Sequence, residues 1–336
     1  MADRFADRIQ KGAFTLNSDL EMTISGGQFN YFVAGGLLNS LYENTGEVEK
    51  TNGTADVYGN VSLNILGGVF ANDCWTYGGC VSTSRSVSSY ASTIYGNVTV
   101  TVDCGVGNSI QLSHLVAGSH GLGQILVNTA TDSGGNTAVV FKGNGTNLSF
   151  TTDGELWGGS GRDNVSPITG KCEGESLVAN DRLLSFEGFT SNNFNCSMIR
   201  DFKSIQLIDE SNVNLTKTTV DLKGIENWTF ENGSRLSGNF GNDFENDSLD
   251  LRGFAGLADG TSKTLMSVTD GDGSAFSGFH ALDSESLLLE GVGCVVGRVG
   301  ETDLETCWYW GTSDAHTFEL YLQNDGTSTS MILAKC

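Results

Sequence analysis

Apolar residues fall on every second position in three stretches of the first third of the chain: Leu20, Met22, Ile24; Val61, Leu63, Ile65; and Val98, Val100, Val102. Such alternation predicts a β-strand with one buried face. The two later stretches share a longer text. Val57 to Gly68 reads Val-Tyr-Gly-Asn-Val-Ser-Leu-Asn-Ile-Leu-Gly-Gly, and Ile94 to Gly105 repeats it 37 residues later as Ile-Tyr-Gly-Asn-Val-Thr-Val-Thr-Val-Asp-Cys-Gly. Leu16 to Gly27 is a fainter copy, 41 residues ahead of the middle one. After each copy comes a second apolar pulse ending in small residues: Phe32-Val33-Ala34-Gly35-Gly36, Trp75-Thr76-Tyr77-Gly78-Gly79 and Leu115-Val116-Ala117-Gly118-Ser119.

Strand and corner recurring at fixed spacing predict stacked repeats. One period of 37–41 residues holds two strand-corner units, and each half-period fits one rung of a parallel β-helix, about 18–22 residues. The polar segments 37–55 and 81–92 read as excursions between rungs. From 125 to 235 the strand pulses continue without the Gly-Gly signature. Beyond 236 the texture changes, and Phe318–Leu322 and Ser330–Leu333 flank Asn324-Asp325-Gly326, a hairpin signal. The expected organisation is therefore an N-terminal cap over 1–13, where Phe5 and Ile9 suit a short amphipathic helix. A parallel β-helix over 14–235 follows. The region 236–336 continues it and closes as a β-rich cap ending in a hairpin.

Composition supports one all-β architecture. The 336 residues include 45 Gly and a single Pro, and charged residues are only 17%, against about 25% in an average globular chain. Acidic residues outnumber basic ones 40 to 18, for a net charge of −22. Nucleic acid is thereby excluded as a partner, since phosphate recognition needs concentrated Lys and Arg. A polyanionic glycan would be repelled unless a cation bridged it. No run approaches the roughly 18 apolar residues of a membrane-spanning helix, and the first residues carry no apolar signal core.

The eight cysteines (74, 80, 104, 172, 196, 294, 307, 336) contain no C-x-x-C, which argues against zinc. Cys74 with Cys80, and Cys294 with Cys307, are expected disulfide clips, and neighbouring rungs offer other pairings. Their number favours an oxidising, extracellular setting.

The texture of residues 14–336 resembles the right-handed β-helical passenger regions of bacterial autotransporter-like surface proteins. The resemblance rests on the Gly-Asn-Val-Ser/Thr strands, the corners Gly26-Gly27-Gln28-Phe29 and Gly67-Gly68-Val69-Phe70, and the segment Asp247-Ser248-Leu249-Asp250-Leu251. It implies a secreted or cell-surface adhesin or scaffold, self-associating in some cases, with surface glycans or host cell-surface proteins as partners.

Chemistry is sparse. Gly158 to Ser166 fits the nonapeptide G-G-x-G-x-D-x-U-x of calcium-binding β-rolls, with Asp163 as the carboxylate ligand. Gly238 to Asp243 echoes it, and Asp270-Gly271-Asp272-Gly273 is another carboxylate turn. Asp163, Asp243, Asp270 and Asp272 are thus the candidate Ca²⁺ ligands, although Gly/Asn/Asp turns produce such matches by composition alone. Trp75 and Tyr77 are candidate glycan-stacking rings, and Trp308-Tyr309-Trp310 is a second aromatic cluster. Core stacking competes with that reading, because Trp75 and Tyr77 align with Phe32 and Leu115. The four histidines (114, 120, 280, 316) share no spacing, and no catalytic residue is assigned. A polysaccharide lyase or hydrolase with a lateral cleft is the alternative function; the nearest approach to a pectin-hydrolase motif is Ser119-His120-Gly121. Eleven N-x-S/T sequons occur, two of them at the equivalent repeat positions Asn60 and Asn97.

Overall fold

The computed structural model describes residues 14–36, 38–39, 55–82, 92–119, 123–125, 127–128, 133–159, 181–220, 225, 227–231, 233–240, 248–253, 257–268, 293–298, 306–311, 318–324 and 328–335. The protein is all-β, with a large and mostly parallel sheet. Among the described residues helix is confined to 3-10 turns at Cys104–Val106 and Gly145–Asn147, and no helix is long and apolar enough to cross a membrane. The expected N-terminal helix over 1–13 lies outside the described residues, as does nearly all of the excursions 37–55 and 81–92. The chain forms two compact units. The first comprises 1–103, 108–140 and 151–183, and the second 104–107, 141–150 and 184–336.

In the first unit the sequence copies lie side by side. Leu20–Phe29, Val61–Phe70 and Val98–Asp103 pair in parallel, with Leu20 against Val61 and Val61 against Val98. Phe14–Leu16, Ala55–Val57, Ser92–Ile94 and Gly123–Ile125 form a separate four-stranded parallel sheet. Phe32–Ala34, Trp75–Tyr77 and the end of Ile110–Val116 pair likewise. Each layer therefore consumes a whole period, and the half-period rung expected from the sequence is corrected here. The two strand-corner units of one period are successive segments of the same layer, because each bonds to its own counterpart in the next copy.

Alternation decides which side chains are inside. Val61, Leu63, Ile65, Val98, Val100 and Val102 are fully buried. In the first copy only Ile24 is buried; Leu20 and Met22 are half-exposed, since among the described residues no strand pairs on their outer side. The Tyr-Gly-Asn text has a separate cause. A Cβ on Gly59 would fall 2.5 Å from the Asp19 backbone nitrogen, and one on Gly96 would fall 2.6 Å from the Gly59 carbonyl carbon. The layers approach too closely there for any side chain. The following asparagines form a ladder, each accepting through its side-chain oxygen from the next copy. Asn60 N–H donates to Asp19 Oδ1 (2.7 Å), Asn97 N–H to Asn60 Oδ1 (2.9 Å), Asn136 N–H to Asn97 Oδ1 (3.2 Å) and Asp181 N–H to Asn136 Oδ1 (3.0 Å).

The second unit uses a shorter repeat. Ser204–Ile208 pairs with Asn227–Glu231, and Asn212–Val220 with Arg235–Phe240, all parallel. Between Ser185 and Ser237 the cross-layer side-chain bonds span 21–25 residues, for example Gln206 to Ser185 and Ser211 to Phe186, whereas Asn195 still bonds Phe150 across 45. In the first unit the ladder bonds span 37–45 residues. The core of the second unit is phenylalanine-rich: Phe141 contacts Phe186 and Phe189 at 5.6 Å and Phe194 edge-on at 5.2 Å. Parallel pairing ends at Thr261–Val268, which pairs antiparallel with Thr329–Lys335. Gly293–Arg298, Thr306–Gly311, Phe318–Asn324 and Thr329–Lys335 then form an antiparallel meander.

Candidate functional site

The polar chemistry of the first unit gathers on the strands ending in Gly-Gly corners. Phe32, Trp75 and His114 occupy equivalent register positions. The next copy continues the series: Ala117 N–H donates to Trp157 O and Gly118 N–H to Gly159 O, both at 2.9 Å, as Gly78 N–H donates to Val116 O. That pattern places Glu155 beside His114 and Trp157 beside Val116. The result is a layered group of Trp75, His114 and Glu155 flanked by Tyr77, Val116 and Trp157.

The geometry within this group is tight. The Trp75 and His114 rings stack at 4.1 Å and 12°, and Tyr77, two residues along the same strand, lies 6.1 Å from Trp75. His114 Nδ1 stands 3.3 Å from Glu155 Oε2. That nitrogen is buried and forms no hydrogen bond, so the contact with the carboxylate is one of proximity and charge, an ion pair once the imidazole is protonated. Glu155 Oε2 also accepts from the Trp157 indole N–H at 3.0 Å. Trp75 is 7% exposed and Tyr77 fully buried. Their rings meet neighbouring layers and not solvent, which corrects the glycan-stacking assignment of Trp75 and Tyr77 and leaves them in the packed stack.

Sequence reasoning missed Glu155 and Trp157 and misplaced His114. Aligning Gly118-Ser119 with Gly78-Gly79 sets Leu115 against Trp75, whereas the true partner is His114. A slip of one residue exchanges the two faces of a strand. The recoverable signal was Trp157-Gly158-Gly159, a fourth copy of Tyr77-Gly78-Gly79. Those glycines open the calcium nonapeptide, yet the Gly158 carbonyl accepts from the Thr137 hydroxyl at 2.6 Å and the Gly159 carbonyl from Gly118. Asp163, Asp243, Asp270 and Asp272 lie outside the described residues, as do His120, His280 and His316. Among the described residues no group of three or more His, Cys, Asp or Glu is placed to hold a metal ion.

The cysteines also depart from expectation. Cys74 and Cys80 are buried thiols, not a clip, and Cys104 and Cys196 are buried thiols as well. Burial pushes the Cys74 thiol up to about 11, partly opposed by a hydrogen bond with Thr76. The strand register sets Cys307 opposite Gly297 and Cys294 opposite Trp310. Three residues of stagger is roughly 10 Å along a strand, beyond disulfide reach. Trp308, Tyr309 and Trp310 lie on that same strand.

No known protein family, curated protein or solved structure matches the chain.

Proposed function

We propose that this chain is a non-enzymatic β-helical scaffold or adhesin, a right-handed parallel β-helix of the autotransporter-passenger kind, secreted or held at a cell surface and engaging surface glycans or cell-surface proteins. The observation that supports it is the ladder from Asp19 through Asn60, Asn97 and Asn136 to Asp181. The residues that recur most faithfully are spent on layer-to-layer bonding and packing, as a structural stack requires. The surface location rests on this architecture and on the resemblance, not on the cysteines.

The test is a panel of polysaccharides and intact cells exposed to the full chain, read for both binding and cleavage. Saturable binding without new reducing ends or unsaturated products is the expected outcome. Release of such products would overturn the scaffold reading in favour of a glycan-active enzyme, and absence of binding to every surface would remove the adhesin function. Sedimentation of the same sample measures self-association.

A further inference from the structure

We propose that Asn144 is an acceptor for N-linked glycosylation, with a glycosyl phosphate as the co-substrate. The proposal goes beyond the scaffold reading and holds whatever the finished surface binds. Eleven of the chain's 27 asparagines stand in N-x-S/T sequons, the sequence mark of such acceptors. A sequon can be used on a folded chain only where its carboxamide nitrogen and its hydroxyl are both within reach. The fold separates the described sequons on that criterion.

Most are spent on structure. Asn60 and Asn97 carry the ladder, and their sequons run into paired strands whose first residues, Val61 and Val98, are fully buried. Asn195 is bonded at both ends of its carboxamide, Oδ1 accepting from Phe150 N–H at 2.9 Å and Nδ2 donating to Phe150 O at 3.1 Å. Asn147 Nδ2 donates to Gly107 O at 3.1 Å, and Asn214 Nδ2 to Asn192 O at 3.2 Å. Asn227 begins a strand paired with Ser204–Ile208. Asn52, Asn164, Asn232 and Asn246 lie outside the described residues.

Asn144-Gly145-Thr146 differs. Asn144 and Thr146 are both exposed, at the turn between strands Thr137–Asn144 and Leu148–Trp157. Asn144 Oδ1 accepts from Thr146 N–H at 3.0 Å and from the Thr146 hydroxyl. Capping of the turn occupies the oxygen alone, and Asn144 Nδ2 forms no hydrogen bond among the described residues. Gly145 faces inward, where a Cβ would stand 2.6 Å from the Phe189 ring, so the two flanking side chains are held outside. Hydrogen bonds to an amide oxygen draw charge from its nitrogen and acidify the N–H groups. The free end of this carboxamide is thus also its activated end.

In the transfer, Asn144 Nδ2 bonds to the anomeric carbon of the donor while that carbon's bond to a phosphate oxygen breaks. The phosphate leaves with the bonding pair, one Nδ2 proton passes to the base of the transferase, and the amide keeps the other. Lipid-pyrophosphate and nucleotide donors share this chemistry.

Two experimental arms separate the donors. In one, the full chain is secreted from eukaryotic cells, whose oligosaccharyltransferase uses a lipid-linked donor. In the other, the purified folded chain meets a soluble asparagine glucosyltransferase with UDP-glucose. Peptide mass spectrometry reads occupancy at every sequon. Asn144 is expected to be occupied at least tenfold above Asn147, Asn195 and Asn214 in at least one arm, with Thr146→Ala losing the glycan and Thr146→Ser keeping it. Occupancy is read on the wild-type chain, so it decides the matter even if Thr146→Ala does not fold. Asn144 short of that margin in both arms, whether bare or matched by the other asparagines, would overturn the site. Neither result bears on the scaffold reading, which the binding and cleavage panel tests separately.

Discussion

His114 and Glu155 sit one layer apart with 3.3 Å between Nδ1 and Oε2, and Trp75 covers the imidazole from the layer on the other side at 4.1 Å. The imidazole therefore works as a flat packing element as much as a polar one. His114→Ala is expected to cost about 2–4 kcal/mol through the void it leaves, and His114→Phe to recover most of that by restoring the stack. Urea unfolding of the two variants checks the difference. Equal losses would mean that the polar contact with Glu155, not ring packing, carries the site.

The asparagine ladder predicts a position-specific penalty. Asn97 Oδ1 accepts from both the backbone N–H and the side-chain Nδ2 of Asn136, so Asn97→Ala strands a half-buried donor. A loss of about 1–3 kcal/mol is expected. Asn97→Asp keeps the acceptor and is expected to cost less, as read by denaturant midpoint.

Gly96 allows no side chain, since a Cβ there meets the Gly59 carbonyl carbon at 2.6 Å and Asn60 N at 2.9 Å. Gly96→Ala is expected to destabilise by about 1–3 kcal/mol or more. Gly107, whose Cβ would meet nothing within 4 Å, has a positive φ of 80°, so Gly107→Asn is the milder comparison.

In the second unit, Phe141 contacts Phe150, Phe186, Phe189 and Phe194 with centroids 5.2–6.4 Å away. Phe141→Ala is expected to cost about 3–5 kcal/mol, and Phe141→Leu markedly less. Calorimetry of both variants provides the comparison.

Cys74 makes the alkaline limb of stability informative. Its thiol is raised from 9.0 to about 11, so the folded state holds a proton that the unfolded state has released. The associated stability is complete below pH 9 and is lost as pH rises towards 11. Tyr95, also raised, contributes to the same limb, and Cys74→Ala should flatten it in part. Native alkylation of Cys74 should be slow at pH 8 and become fast on unfolding.

The strands were readable because alternation is local: Val61, Leu63 and Ile65 announce their buried face within five positions. Register was not, because it depends on partners a full period away. The slip that set Leu115 in place of His114 opposite Trp75 came from reading Gly118-Ser119 as the corner when Ala117-Gly118 is its equivalent. Layer size failed for the same reason, since two strand-corner units in a period look identical whether they stack on each other or on their copies. Tyr58 was legible as text but not as surface: it follows a buried Val57, and its exposure depends on the layers packed around it, which the local text does not state.

The ladder has a grammar. An asparagine both gives its backbone N–H to the layer before and offers its side-chain oxygen to the layer after, so Asn60 could be followed by any number of further copies. Among the described residues carboxylates stand at the two ends: Asp19 is the first acceptor of the series, and Asp181 the last donor, its own Oδ1 accepting from the adjacent Arg182 N–H at 2.9 Å. A gene duplication that copies one whole period would join its neighbours without a new seam, whereas one that copies half a period would break the chain of donors. Growth of such a protein is thereby quantised in whole layers.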